Sequence, residues 1–313
     1  MADKRAVLAR ALLTMGPSKM LLAAKMAAST PKMGNSTMAL NSINTNASAL
    51  IALQNLASTQ MDLQDTQNII STGKKINSAK DNGAIWSIAN TMQGKVDSLD
   101  SVMDSLNRAQ STIDVAMSAG QQVSDLLTQM KAKALAASDT SLDTQSRQAL
   151  NEDFKSLRDQ ITKVVTNADF NGINMVESGG TTIYALANDS GSTKMTVQAE
   201  DLSLGGANVT LSTTASFSTA QTASAYLTTL NTDLQNVDTA LTKLGTGSNA
   251  LSDHLKFVQS LQNSLTTGIS DLVDADMASE SAKLQALQTK QQLGVQALSI
   301  ANQSTSIMLS LFR

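Results

Sequence analysis

Between Leu99 and Met130, apolar or small residues recur at a three-four spacing: Leu99, Val102, Leu106, Ala109, Ile113, Ala116, Gly120, Val123, Leu127 and Met130, with no charge among them. This is a sustained heptad seam, and at about 1.5 Å per residue it predicts a helical rod on the order of 48 Å long. The run Ser138-Asp-Thr-Ser141 supplies a turn and capping side chains, after which Leu150, Phe154, Leu157, Ile161 and Val164 repeat the spacing. Two antiparallel helices joined by a short loop are therefore predicted. A third seam runs through Leu227, Leu230, Leu234, Val237, Leu241, Leu244, Leu251, Leu255, Val258, Leu265 and Leu272, with Ser248, Gln262 and Ile269 as imperfect positions. Its helix can zip against the first two. Residues 173–218 change character: Thr181–Leu186, a turn at Asn188–Gly191, Lys194–Gln198 and Asn208–Ser212 read as short strands with at least one hairpin, a small β insertion at the tip of the rod.

The chain ends differ from the rod in charge. No charged residue occurs from Met33 to Met61 or from Gln291 to Phe312. Neither stretch is a membrane span, because Gln291, Gln292, Gln296, Asn302, Gln303 and several Ser and Thr make the second far too polar. Two apolar stripes run along the C-terminal segment, one through Leu284, Leu287, Leu298, Ala301, Met308 and Phe312, the other through Ala286, Leu293, Ala297, Ile300, Ile307 and Leu311. A helix with two such stripes needs protein on several sides. One partner is the N-terminal segment of the same chain, where Ile43, Leu50, Leu53, Leu56, Leu63 and Ile70 lie at helical spacing; the other partners are different molecules. The alternative is a monomeric four-helix bundle, although a soluble monomer ordinarily carries charge on its outer helix faces.

Composition narrows the chemistry. Cys is absent, which excludes disulfides, thiolate catalysis and Cys-ligated zinc, and His254 is the only histidine. Aromatic residues make up 3%, so packing relies on Leu, Ile, Val, Met and Ala. Both prolines, Pro17 and Pro31, precede residue 38, which leaves the remainder free to form very long helices. Residues 1–37 carry six Lys or Arg against one Asp and read as a basic extension, a leader or a start placed too early, with Met38 as the working start. From residue 38 onward 17 Lys and Arg face 25 Asp and Glu, an acidic body unsuited to nucleic acid. The acids Asp271, Asp274, Asp276 and Glu280 do not fit a calcium loop and read as helix-capping, solvated groups. His254 reads as a solvated side chain on the polar side of its helix. No nucleophile-base pair and no His-Glu-x-x-His occurs, so neither an enzyme nor a cofactor is predicted. A membrane-active translocator would need an apolar span or basic amphipathic face, which the body lacks.

Four motifs in order then give a specific resemblance. "ALNSINTNASAL" from Ala39, "STGKKINSAKDNGA" from Ser71, "ADFNGINMV" from Ala168 and the closing "LVDADMASESAKLQALQTKQQLGVQALSIANQSTSIMLSLFR" together resemble a bacterial flagellin of the short alphaproteobacterial type, over residues 38–313. The resemblance implies a mainly α fold: a long antiparallel helical rod or coiled-coil bundle formed by the N- and C-terminal halves, with a small β-rich insertion in the middle. Its implied divisions are a basic extension at 1–37, inner-core helices at 38–76 and 271–313, rod helices at 77–180 and 219–270, and a variable β-rich region at 181–218. The implied role is a structural subunit that polymerises into the flagellar filament for swimming. A hook-filament junction protein is the alternative.

The residues that this resemblance assigns follow. Ile43, Leu50, Leu53, Leu56, Leu63, Ile70, Leu284, Leu287, Leu293, Leu298, Ile300, Ile307, Met308, Leu311 and Phe312 form the polymerisation core. Gly73, Lys75, Asn77, Ser78, Asp81 and Gly83 form a connector, in which the glycines permit a reversal or kink and Asn77, Ser78 and Asp81 can cap the next helix. The hydroxyls of Ser203, Thr210, Ser212, Thr213, Thr214, Ser216, Ser218 and Thr219 are candidates for O-glycosylation. Implied partners are further copies of the chain, an export chaperone, and the filament cap and hook-associated proteins, with secretion through the flagellar type III channel. The sequence departs from the family at Lys75, at Asp81-Asn-Gly-Ala-Ile85 and at Trp86, where an aliphatic residue is usual. Leu127–Ala134 also lacks the Arg and Leu that innate immune receptors grip, with Gln129 and Lys133 in their places, so weak or absent receptor binding is expected.

Overall fold

The computed structural model describes residues 46–310, which form the helices α1 (Ala47–Thr72), α2 (Ala79–Ala137) and α3 (Thr144–Thr166), the strands β1 (Asp169–Phe170), β2 (Ile173–Asn174), β3 (Ile183–Leu186) and β4 (Lys194–Val197), and the helices α4 (Ala220–Val273) and α5 (Met277–Ser310). Two compact units result: Thr72–Asp276, and the two chain ends that flank it. The basic extension, Ile43, Leu311 and Phe312 lie outside the described residues. A mainly α chain with a small β-rich middle is borne out.

In the larger unit α3 and α4 both pack on α2. All ten positions of the predicted α2 seam are buried, because each third or fourth residue returns to the same face. On α3, Phe154, Leu157 and Ile161 are buried as expected, while Val165 rather than Val164 completes the line. On α4, Leu230, Val237, Leu244, Leu251 and Val258 of the predicted seam are buried and Leu227, Leu234, Leu241, Leu255 and Leu265 pack half-buried against the same core, while Asp233 and Ala240 join the buried line beside Leu234 and Leu241.

The turn between α2 and α3 is held by a buried guanidinium. Helix α2 runs out at Ala137, and Asp143 caps α3 by accepting from the Ser146 N–H at 2.9 Å, a role expected of Ser138–Ser141. Arg147, in the first turn of α3, donates from Nε to Ala137 O at 2.9 Å and from its Nη2 to Asp139 O and Leu142 O at 2.8 and 3.0 Å. It thereby satisfies carbonyls that the end of a helix leaves without intrahelical donors.

The insertion lies along the helices rather than at their tip. Strands β1 and β2 pair through a two-residue turn, Asn171-Gly172, with φ of 53° and 77°, the left-handed pair that a tight hairpin requires. Strands β3 and β4 pair antiparallel from Ile183 opposite Val197 to Leu186 opposite Lys194. The Leu186 N–H donates to Ser105 Oγ at 3.1 Å on α2, and Val197 packs where Gly247 of α4 has no side chain; a Cβ there would sit 2.7 Å from Val197 Cγ1. His254 is half-buried, not solvated: its Nε2 lies 2.8 Å from Ala187 O and ties the β3-β4 hairpin to α4.

The expected strand at Asn208–Ser212 does not form. Its amides go instead to a carboxylate: Asp233, wholly buried on α4, accepts from Thr210 N and Thr210 Oγ1 through Oδ1 at 2.8 and 2.7 Å, and from Leu211 N through Oδ2 at 3.1 Å. Buried amides must find acceptors, and here an ion supplies what a neighbouring strand would have supplied.

Candidate assembly surfaces

The unit of chain ends is built from α1 and α5. Their less exposed residues fall on one heptad stripe each: Ala49, Ala52, Leu56, Thr59, Leu63, Thr66 and Ile70 on α1, and Glu280, Leu284, Leu287, Gln291, Gly294, Leu298 and Ala301 on α5. The stripes face one another. A Cβ on Gly294 would approach Leu56 Cδ1 to 3.2 Å, and Asn46 Nδ2 donates to Ala301 O at 2.8 Å. Polar residues interrupt the seam: Thr66 is fully buried and its hydroxyl has no hydrogen-bond partner, while Glu280 meets Lys283 at 3.3 Å.

The predicted core residues divide between two faces. Leu56, Leu63, Ile70, Leu284, Leu287 and Leu298 lie on the inner stripes. Leu50, Leu53, Leu293 and Ile300 point outward, the first 57% and the last 68% exposed, and Ile51 and Met61 join them as outward apolar residues that hydrophobic spacing had missed. Ile307 and Met308 belong to α5. A groove of about 680 Å³ follows the helix pair, floored by Ala52, Gly294 and Ala297 and walled by Ile51, Leu293 and Ile300. Large aliphatic side chains exposed on helix stretches without charge, here 47–61 and 291–303, are poor monomer surface and good contact surface.

The connector lies in the larger unit. Gly73 adopts φ +70°, which permits the chain to leave α1 and pair with the segment after α4. Lys75 N and Ile76 N donate to Val273 O at 2.7 and 3.3 Å, and Ala275 N donates to Gly73 O at 3.0 Å, with Lys74 bridged to Asp274. Asp274 thus serves as a backbone partner at the end of α4. Ser78 begins α2, and the Asp81 carboxylate accepts from Asn77 N, Ser78 N and Ser78 Oγ at 3.0, 2.9 and 3.1 Å. The kink falls at Asn82 (φ −160°, ψ 100°), whose Oδ1 accepts from Ile85 N at 3.1 Å and restarts the helix; Gly83 has no positive φ.

These caps make acid sensitivity predictable. The N–H groups of Asn77 and Ser78 hold the Asp81 carboxyl below its ordinary 3.8. The Ser141 N–H does the same for Asp139, and the Ser146 hydroxyl and N–H for Asp143. A carboxyl lowered on folding contributes stability above its unfolded value and loses it as pH falls through the folded value. The amide resonances of Ser78, Ser141 and Ser146 are therefore expected to shift only below about pH 4, with the first turns of α2 and α3 loosening together. Shifts already complete near neutral pH would show that these carboxylates do not hold the turns.

Among the candidate modification sites, several hydroxyls are engaged. Ser203 donates to Asp201, Thr210 to Asp233, Ser212 pairs with Thr214, and Thr219 caps α4. Thr213, Ser216 and Ser218 are exposed. Lys133 meets Asp153 at 2.7 Å, and Gln129 is exposed. Among the described residues no three His, Asp or Glu side chains gather as metal ligands, and no helix is long and apolar enough to cross a membrane.

Residues 43–181 match the bacterial flagellin N-terminal helical region, and residues 227–312 match the C-terminal helical region. The chain is 58% identical over 276 residues to flagellin FljM of Caulobacter vibrioides, with 88% of this chain and all of that one covered. It is 43% identical to flagellin FljJ of the same bacterium, covering 87% and 98%, and 39% identical to a flagellin of Brucella melitensis, covering 87% and 99%. None of these similarities favours a hook-filament junction protein. The chain belongs to the bacterial flagellins, the subunits of the flagellar filament.

Proposed function

We propose that copies of this chain associate through the outward faces of α1 and α5, so that the inner part of the filament is made of residues 38–76 and 271–313. Residues 77–180 and 219–270 form the outer layer, and residues 181–218 the variable surface. The observation that carries this reading is the placement of Leu50, Leu53, Leu293 and Ile300 in solvent on helix stretches without charge. Burying one such side chain is worth about 1.5–3 kcal/mol, so several per copy repay the entropy of association. The work of the protein is mechanical, and the assignment includes no catalytic residue. The chain is secreted through the flagellar export channel in the company of a chaperone that covers the same outward faces, and it is placed between hook-associated proteins and the filament cap. Thr213, Ser216 and Ser218 are the hydroxyls best placed to carry glycans. Salt-induced assembly of the purified chain, viewed by negative-stain microscopy, tests the reading: long helical filaments of uniform width support it, and a chain that stays monomeric at high concentration rejects it.

A further inference from the structure

Asparagine is followed by glycine at two places in the chain, Asn82-Gly83 and Asn171-Gly172. The pair is chemically distinctive. The backbone nitrogen after an asparagine can close a ring with the side-chain amide carbon of that asparagine, and a glycine there carries no side chain to hinder the approach. Once this nitrogen has given its proton to solvent base it attacks Cγ. The Cγ–Nδ2 bond then breaks, the leaving nitrogen takes up a proton and departs as ammonia, and a cyclic imide remains. Water opens the imide at either carbonyl and leaves aspartate or isoaspartate. The net change consumes a water and releases an ammonia, with no oxidation or reduction.

Both asparagines are exposed, so access of water does not separate them. Their hydrogen bonds do. Asn171 and Gly172 form the tip of the β1-β2 hairpin, both in the left-handed region, with Phe170 paired to Ile173 directly behind them. The Gly172 N–H donates to the Asp169 carboxylate at 3.3 Å, so the nitrogen that must lose its proton is held protonated by a neighbouring anion. The chain that follows is anchored as well, since buried Asn174 donates to Val165 O and accepts from Val176 N. At Asn82 the side-chain amide is the activated group. Its Oδ1 accepts from the Ile85 N–H at 3.1 Å, a donor placed where negative charge develops during attack at Cγ. Asn82 already stands outside helical geometry (φ −160°, ψ 100°), and a Cβ on Gly83 would meet nothing within 4 Å, so no packed neighbour holds this link in place.

We infer that Asn82-Gly83 is a self-modification site: in the folded chain Asn82 converts through the cyclic imide to aspartate and isoaspartate, while the hairpin protects Asn171. The inference is independent of how copies of the chain assemble. Aspartate at 82 keeps an acceptor for the Ile85 N–H and adds negative charge to the first turn of the helix, where it is favourable. Isoaspartate lengthens the main chain between the connector and α2 and displaces that cap.

Peptide mapping by mass spectrometry of the purified full chain, kept folded at mildly alkaline pH, tests this. The peptide holding Asn82 is expected to gain the mass of an amide-to-acid change roughly tenfold or more faster than the peptide holding Asn171, because the hairpin and its hydrogen bond to Asp169 must open first. Part of the product resists cleavage by an aspartate-specific protease and accepts methyl groups from an isoaspartyl methyltransferase. In chain unfolded by urea the two sites are expected to convert at similar rates, which assigns the difference to the fold. Gly83→Ala, whose added methyl group has open space, is expected to slow conversion at Asn82 severalfold with the melt unchanged. Asn82 that stays intact in the folded chain while converting in urea overturns the inference. Equal rates at both sites in the folded chain do so too, as does a Gly83→Ala chain that converts as fast as wild type.

Discussion

A chain that ends at Lys290 is expected to stay monomeric under conditions in which the full chain forms filaments. The truncation removes Leu293 and Ile300 from the outward face and Gly294, Leu298 and Ala301 from the inner stripe, so the N-terminal half of α1 loses its neighbour and the other side of the shared groove. The unit Thr72–Asp276 has its own core along α2, α3 and α4 and keeps its helices. Sedimentation and a thermal melt read the two effects separately: no pelletable polymer, and a main transition unchanged from the full chain. Filaments from the truncated chain would mean that assembly runs through other surfaces.

The second large effect concerns stability. Replacing Asp233 by Ala is expected to cost about 3 kcal/mol or more, because hydrogen bonds to an ionised group are each worth about 1.5–3 kcal/mol and the buried donors left behind lose their acceptors. The amides of Thr210 and Leu211 and the Thr210 hydroxyl all depend on that carboxylate. For a unit of this size the melt falls by on the order of 10 °C, and limited proteolysis cuts first near residues 208–212. A melt indistinguishable from wild type would show that the segment finds other partners at no cost.

The same carboxylate shows where the sequence was hard to read. An acidic residue in a heptad is ordinarily a surface group, so the α4 seam is naturally drawn through Leu234 and Leu241, and only the loop that Asp233 binds reveals its burial. The α2 seam presents no such conflict, since every position on it is apolar or small, and it was legible in full. The inner stripe of α1 and α5 is obscured for the opposite reason: Thr59, Thr66, Glu280 and Gln291 occupy seam positions that a search for apolar spacing passes over. Leu50, Leu53 and Leu56 recur every third residue, so spacing could not separate the outward pair from the inward one. In the connector, Gly73 earned its place through a positive φ, whereas the kink fell on Asn82, whose side chain can accept from a freed amide. Which hydroxyls of the insertion are engaged depends on tertiary partners such as Asp233, and no local pattern carries that information.

The central claim is that the terminal helices complete their burial against sibling chains. A helix pair seamed by Thr, Gln and Glu and edged by exposed Leu and Ile is marginal until neighbours cover it. Amide hydrogen exchange over residues 47–71 and 277–310 tests this most directly when dilute monomer and assembled filament of the full chain are compared. The account predicts rapid exchange in the monomer and strong protection in the filament, with Thr72–Asp276 protected in both. Protection of the terminal helices in dilute monomer equal to that in the filament would contradict it.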